Sequence, residues 1–323
     1  MDKNKKNKKQ ESIRDLHKEF LRVQKYIEGK SLKTLKNYQD SFNLLMQFKP
    51  GTKCGDLIPK TMVDFSEWLM TRKKKIGKEM IVKPCKASTI ISIRRRLLTF
   101  FEWLDDQKYI DYELLKKMPY PRINDSSGRA FTKEEYDKIY LAVSRDIPWE
   151  NRLLRVRNMA MIMVLFHTGI RRGGLLGLRM CDIDMKRRVI FARGEMSKSK
   201  RDNRIPMSNE LISYLKEYLN CRSDYETEAF WVSNRGDQPF TTHGLKHFTE
   251  RLKKTTGIKP LRIHDFRYTF ACNYYVQSIH DAKGLQKIMG HRDIKTTYNV
   301  YLKSLPDDDI AKQMKGFSSP KFQ

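Results

Sequence analysis

Apolar residues in the first third of the chain recur at helical spacing. Leu35, Tyr38, Phe42 and Leu45 fall at i, i+3, i+7 and i+10 behind Ser31 and Thr34, either of which is a candidate N-cap. A second stripe, Ile90, Ile93, Leu97, Phe100, Phe101 and Leu104, has Ser88 as its candidate cap, and an apolar stretch from Met62 to Met70 lies between the two. The pattern predicts a small all-helical unit over 13–122, a bundle of four or five helices. Residues 1–12 are polar and Lys-rich without an apolar period, which predicts a basic flexible arm.

The periodicity breaks at Pro119-Tyr-Pro121 and Asn124-Asp-Ser-Ser-Gly128, marking a linker over 123–130. Thr132-Lys-Glu-Glu135 reads as a capping box that opens a second domain, 131–323 with its C-terminal tail. Val156 to Phe166 is apolar nearly all round, as expected of a buried helix. Leu175, Leu176 and Leu178 predict a short helix after it. Val189 to Ala192 and Arg204 to Met207 read as strands flanking a Lys-rich hairpin, with Phe230 to Val232 as a third strand. Helices are expected over 208–220, 242–254, 264–277 and around 284–303. The fold class is mainly α with a small β-sheet: a helical N-terminal domain followed by a mixed α+β domain.

Charge narrows the choice of partner. The chain carries 65 Lys and Arg against 38 Asp and Glu, a formal net charge of +27. Such a charge draws polyanions from a distance, and nucleic acid is the expected partner. Arg72-Lys-Lys-Lys75 and Arg94-Arg-Arg96 are cation runs, and Lys33 and Lys36 lie beside the first stripe. Taken singly, each run reads as a solvated face. Several in one helical unit make Lys33, Lys36, Arg72, Lys73, Lys74, Lys75, Arg94, Arg95 and Arg96 candidates for phosphate contact on a duplex. A flexible connection between two basic domains would let the pair close around it. No apolar run approaches the roughly 20 residues that span a bilayer, and no signal peptide opens the chain, so a soluble cytoplasmic protein is expected. Five cysteines without a Cys-x-x-Cys or a close Cys/His pairing argue against zinc and against a disulfide framework. Without a Gly-x-x-x-x-Gly-Lys-Ser/Thr loop, neither ATP nor any other cofactor is expected.

Attack on a phosphodiester by an oxygen nucleophile needs cations on the non-bridging oxygens, help in removing the nucleophile's proton, and an acid for the leaving oxygen. Arginine is the natural clamp without a metal, because its planar fork stays protonated and binds phosphate bidentately. Arg171 and Arg267 are the clamp candidates. His264, three residues before Arg267, shares its side of a helix. Tyr301 lies ten residues after His291.

In order along the chain, Thr168-Gly-Ile-Arg171 with Leu175-Leu-Gly-Leu-Arg179 and Asp182-Ile-Asp184, His264-Asp-Phe-Arg267-Tyr-Thr-Phe-Ala271, Gly290-His291 and Tyr301 resemble the motif boxes of the tyrosine recombinase (phage integrase) family. Ser31-Leu-Lys-Thr-Leu-Lys-Asn-Tyr38 and the segment ending Leu98-Thr-Phe-Phe-Glu-Trp-Leu104 are similar to the family's core-binding (SAM-like) domain, so the resemblance spans nearly the whole chain. It implies a site of Arg171, Lys198, His264, Arg267, His291 and Tyr301. Tyr301 would attack one strand, form a 3′-phosphotyrosyl link and release a 5′-hydroxyl, with Lys198 as acid for the departing oxygen. Lys200 lies on the same turn and remains an alternative to Lys198. Religation to a partner strand would give recombination through a Holliday junction. The implied partners are double-stranded DNA with inverted-repeat core sites and three further protomers in a tetramer on synapsed DNA, with a monomer free in solution. A two-domain recombinase of a mobile element is the closest type.

Tyr298 falls only seven residues after His291, where the family spaces its nucleophile nine or ten, and is assigned to packing. The family usually has an acidic residue three after the first arginine, where this chain has Gly174, and a histidine where it has Tyr268. Loss of the carboxylate is expected to loosen Arg171 or the hairpin lysine. Beyond Tyr301, Asp308 to Met314 is a candidate helix for docking on a neighbouring protomer. Two other readings stay open: a type IB topoisomerase-like nicking-closing enzyme, and an integrase-derived DNA-binding protein with reduced or no catalysis.

Overall fold

The computed structural model describes residues 11–76, 79–82, 85–118, 128–194, 202–278 and 281–298. The chain divides into two compact units, Met1–Asp125 and Ser126–Gln323.

In the first unit the helices are α1 (Ile13–Tyr26), α2 (Leu32–Phe48), α3 (Pro59–Thr71), α4 (Ala87–Asp106) and the short α5 (Glu113–Lys116). Ser31 caps α2, accepting from the Thr34 amide, and Pro59 occupies the first turn of α3, where a missing N–H costs nothing. Ser88 lies inside the first turn of α4, not at its cap; Lys86 holds that position without a side-chain bond. The apolar stripes of α1 to α4 meet in one core around Phe20, Phe42, Phe65, Phe100 and Phe101. Within it His17 stacks on Phe42, with ring centroids 3.8 Å apart. Burial pushes its imidazole down to about 4.

The unit is not all helical. Between α3 and α4, β1 (Lys73–Ile76) and β2 (Glu79–Val82) form an antiparallel hairpin that pairs Lys73 with Val82 and Ile76 with Glu79. Its first strand is the basic run, whose charges hid the strand pattern.

The second unit opens with α6 (Lys133–Leu141), closed by the expected capping box of Thr132 and Glu135. Helix α7 (Arg152–Thr168) is its axis, packed between α9 (Asn209–Cys221) and α11 (Ile263–Gln277). That position explains a helix with almost no polar face. One arginine is buried with it: Arg157 donates to the Val232 carbonyl at 2.7 Å and to Asn158 Oδ1, and lies over the Phe240 ring.

After α7 come α8 (Arg172–Leu176) and an antiparallel sheet in the order β3 (Ile183–Asp184), β4 (Val189–Ala192), β5 (Asn203–Pro206). Val189 pairs with Pro206 and Ala192 with Asn203, so β4 and β5 are the two legs of the expected hairpin. Among the described residues the remaining helices are α10 (Thr242–Thr256), α12 (Ala282–Met289) and α13 (Ile294–Thr297). Phe230 to Val232 is not the third strand; it makes only isolated bridges nearby, Arg179 with Ala229 and Val232 with Pro239. Side chains have taken the bonds a ladder would need. The Phe230 carbonyl accepts from Tyr218 Oη and Arg222 Nε, and the Val232 amide donates to Tyr218 Oη.

Candidate active site

Two helix ends build the site. Helix α7 stops at Gly169, a left-handed residue at φ +56°, and α12 stops at Gly290, at φ +60°. At Gly169 an added Cβ would lie 2.5 Å from Phe270 Cδ1, so the close approach of α11 demands glycine as much as the dihedral does. Thr168 braces the turn: its hydroxyl donates to the Val164 carbonyl and accepts from the Ile170 amide. Arg171 then stands as the N-cap residue of α8.

The start of α11 is fixed by Asp265, whose Oδ2 accepts from the Arg262 amide at 2.8 Å. One turn in, Arg267 is only 3% exposed. Its guanidinium donates to the Gly169 carbonyl at 2.6 Å, to the Met289 carbonyl at 2.7 Å, and to His291 Nε2 at 3.0 Å. Arg171 Nη1 donates to the same Met289 carbonyl at 3.2 Å. Two cations from separate segments thus converge on one oxygen, and the carbonyls holding them belong to the ends of α7 and α12.

A helix C-terminus carries roughly −0.5 of an elementary charge, so two such ends supply about −1 against the +2 of the guanidiniums. The two helix ends thus offset part of the guanidinium charge. The surroundings register it. Burial first, and then the charges of Arg267 and Arg171, push His291 down to about 4. His264, on the solvent-reaching side of α11, is lowered by the same causes. Both imidazoles are neutral near pH 7, which makes them proton acceptors.

His291 is held at backbone and ring. Its amide donates to the Gln286 carbonyl at 3.1 Å, and its carbonyl accepts from Gln286 Nε2 at 3.2 Å. Its Nδ1 lies 2.9 Å from Thr297 Oγ1. Asn203, on β5, donates to the Ile288 carbonyl at 2.6 Å and so ties the sheet to the end of α12. Sequence reasoning missed Asn203, Gln286 and Thr297, because their partners are backbone or a ring nitrogen that no spacing reveals.

The structure brings Arg171, Arg267 and His291 together, with His264 within reach of their charges. Lys198, its alternative Lys200, Tyr301 and the Asp308 to Met314 segment lie outside the described residues. Tyr298 is 48% exposed, which corrects its assignment to packing. Tyr268 is buried in the cluster of Phe270, Leu285 and Met289 and belongs to the core. Gly174 is buried as well, and an added Cβ would press on Ile170 Cγ1 at 3.0 Å. A side chain there would have to push Ile170 aside, and the Met289 carbonyl anchors the Arg171 side chain.

In the first unit, Lys33 and Lys36 are exposed on α2, and Arg95 is exposed and Arg96 half-buried on α4. Arg72 is half-buried, its guanidinium over the Trp68 ring. Lys73, Lys74 and Lys75 lie on β1. Arg94 is a correction: at 4% exposure it points inward and donates to the Met118 carbonyl at 3.4 Å. It occupies the apolar face of α4, four residues after Ile90 and three before Leu97. Among the described residues, no helix is long and apolar enough to cross a membrane.

The model of the phage integrase family matches residues 129–307, more than half of the chain. The chain belongs to that family and is a tyrosine recombinase. Among its relatives, tyrosine recombinase XerC of Escherichia coli O127:H6 is 24% identical over 291 residues, covering 88% of this chain and 91% of XerC. Solved structures share the fold. The Tn1549 transposon integrase in complex with a circular intermediate DNA has a TM-score of 0.76 at 17% identity, over 95% of this chain and 99% of that one. A lambda integrase dimer bound to a core site gives 0.68 at 19% identity, over 98% and 81%.

Proposed function

We propose that this protein is the site-specific DNA recombinase of a mobile element, acting in the cytoplasm as a tetramer on two synapsed inverted-repeat core sites. Convergence of Arg171 and Arg267 on the Met289 carbonyl carries the reading. Two guanidiniums converging on one oxygen suit the scissile phosphate, whose oxygens would replace part of the present carbonyl contacts. Similarity to a transposon integrase in complex with circular intermediate DNA supports the mobile element.

In the proposed reaction the Tyr301 oxygen attacks phosphorus and its proton passes to a neutral histidine, His264 being the accessible one. The bond from phosphorus to the 5′ oxygen breaks, and Lys198 supplies the proton that oxygen needs. Charge developing on the non-bridging oxygens falls on Arg171 and Arg267, the latter held in place by His291. Attack by the 5′-hydroxyl of the partner strand reverses these steps and frees Tyr301. The bond energy is kept in the phosphotyrosyl link, so no nucleotide is consumed. Lys33, Lys36, Arg72, Arg95, Arg96 and the lysines of β1 would supply backbone contacts from the first unit.

A nicked duplex carrying the core site tests the reading. The native protein should give an SDS-resistant adduct that is lost in Tyr301→Phe and kept in Tyr298→Phe. No adduct with any core-site duplex would leave a DNA-binding protein without turnover. An adduct followed only by relaxation, without strand exchange, would favour a nicking-closing enzyme.

A further inference from the structure

The ring of His291 is engaged at both nitrogens. A guanidinium only donates, so Nε2, 3.0 Å from Arg267 Nη2, must be the acceptor and carry no proton. The single proton of a neutral ring is then on Nδ1, facing Thr297 Oγ1 at 2.9 Å. Thr297 is fully buried at the end of α13, four residues before Tyr301 in the sequence. Its oxygen is shielded from solvent.

We propose that Thr297 is the positioning residue for His291, its buried hydroxyl oxygen accepting the Nδ1 proton and thereby fixing both the ring plane and the tautomer. The proposal rests on the recombinase reading and deepens it. With Nδ1–H held by Thr297, Nε2 stays the acceptor for Arg267 and steadies the guanidinium that meets the phosphate. In the opposite tautomer, Nε2–H would collide with the Arg267 N–H. A ring free to turn would present neither edge reliably. Among the described residues the charged and titratable groups acting on this ring are Arg267 and His264 of α11 and Arg171 of the α7–α8 turn.

Thr297 also connects the histidine to the segment that leads to the nucleophile. Withdrawal of α13 would remove the Nδ1 acceptor, so the position of residues 294–297 and the readiness of His291 are one variable. Around metal-bound histidines, hydrogen-bond partners of this kind typically matter by about 10- to 100-fold, and a loss of that order is expected here.

The test compares Thr297→Val, which keeps the shape without the hydroxyl, with Thr297→Ser, which keeps the hydroxyl. In 15N-histidine-labelled protein, with the resonance assigned through His291→Gln, native protein and Thr297→Ser should show a protonated Nδ1 and unprotonated Nε2. Thr297→Val should lose the slowly exchanging Nδ1 proton. Adduct formation on a nicked duplex should fall about 10- to 100-fold in Thr297→Val and stay within about threefold in Thr297→Ser, with DNA affinity within about twofold in both. Thr297→Ala replaces Thr297→Val if the latter does not melt cooperatively. A proton on Nε2 in the native protein, or a native rate in Thr297→Val, overturns the proposal. An Nδ1 signal that behaves as expected, in a protein that forms no adduct at all, would uphold the positioning and sink the recombinase chemistry instead.

Discussion

Gly169→Ala should damage stability and cleavage together, and Gly257→Ala supplies its control. Both glycines end a helix in the left-handed region, at φ +56° and φ +70°. An L-residue there costs roughly 1–2 kcal/mol, and the gain from a stiffer unfolded chain is common to both. Their surroundings differ. At Gly257 a new Cβ meets nothing within 4 Å, whereas at Gly169 it meets Phe270 Cδ1 at 2.5 Å and Met289 Sδ at 3.2 Å. Overpacking of that kind adds typically about 1–3 kcal/mol. Gly257→Ala should therefore lose about 1 kcal/mol, and Gly169→Ala about 2–4. Urea unfolding measures the difference, and at roughly 2–4 °C per kcal/mol a thermal scan should show it too. Adduct formation should fall in Gly169→Ala, because the displaced carbonyl is the one 2.6 Å from Arg267, and remain within about twofold in Gly257→Ala. Equal destabilisation of the two variants would refute the packing argument. A destabilised Gly169→Ala that cleaves at the native rate would refute the claim that this carbonyl positions Arg267.

Gly174→Glu, which restores the acid usual in the family, should lower the melting temperature and fail to raise cleavage, because its Cβ presses on Ile170. His17 makes stability acid-sensitive. Its folded value near 4 lies below the ordinary 6.5, so the unfolded chain takes up the proton first; stability is full above about pH 6.5 and declines as pH falls toward 4. The loss amounts to about 3 kcal/mol by pH 4, and urea titrations of His17→Phe should show a correspondingly shallower acid limb. Replacing Lys33 and Lys36 by Gln should reduce the slope of log affinity against log salt by about one for each phosphate left without its cation. Arg94→Gln should instead lower the melting temperature and leave that slope alone.

The legible parts of the fold were those governed by a single period. The stripes of α2 and α4 and the all-round apolar run of α7 needed only burial to explain them, and the Thr132 box needed only local bonding. Tertiary partners decided the rest. Phe230 to Val232 has strand composition, but Tyr218 and Arg222 claim its backbone groups. Lys73 to Ile76 lacks an apolar alternation yet pairs with Glu79–Val82. Arg94 shares a cation run with its two neighbours, although its place three residues before Leu97 already puts it on the buried face. At the site, motif spacing found Arg171, Arg267 and His291, whereas the groups that hold them are mostly carbonyls. Every residue has one, so composition cannot point to them.

Main-chain oxygen among the partners of the two guanidiniums bears on how such a site drifts over generations. A carboxylate partner disappears with a single codon change; the carbonyls of Gly169 and Met289 survive any substitution that leaves the ends of α7 and α12 in place. That part of what holds the cations is then inherited with the fold. The positions exposed to loss are then the helix-ending glycines, Gly169 and Gly290, that set those carbonyls in place.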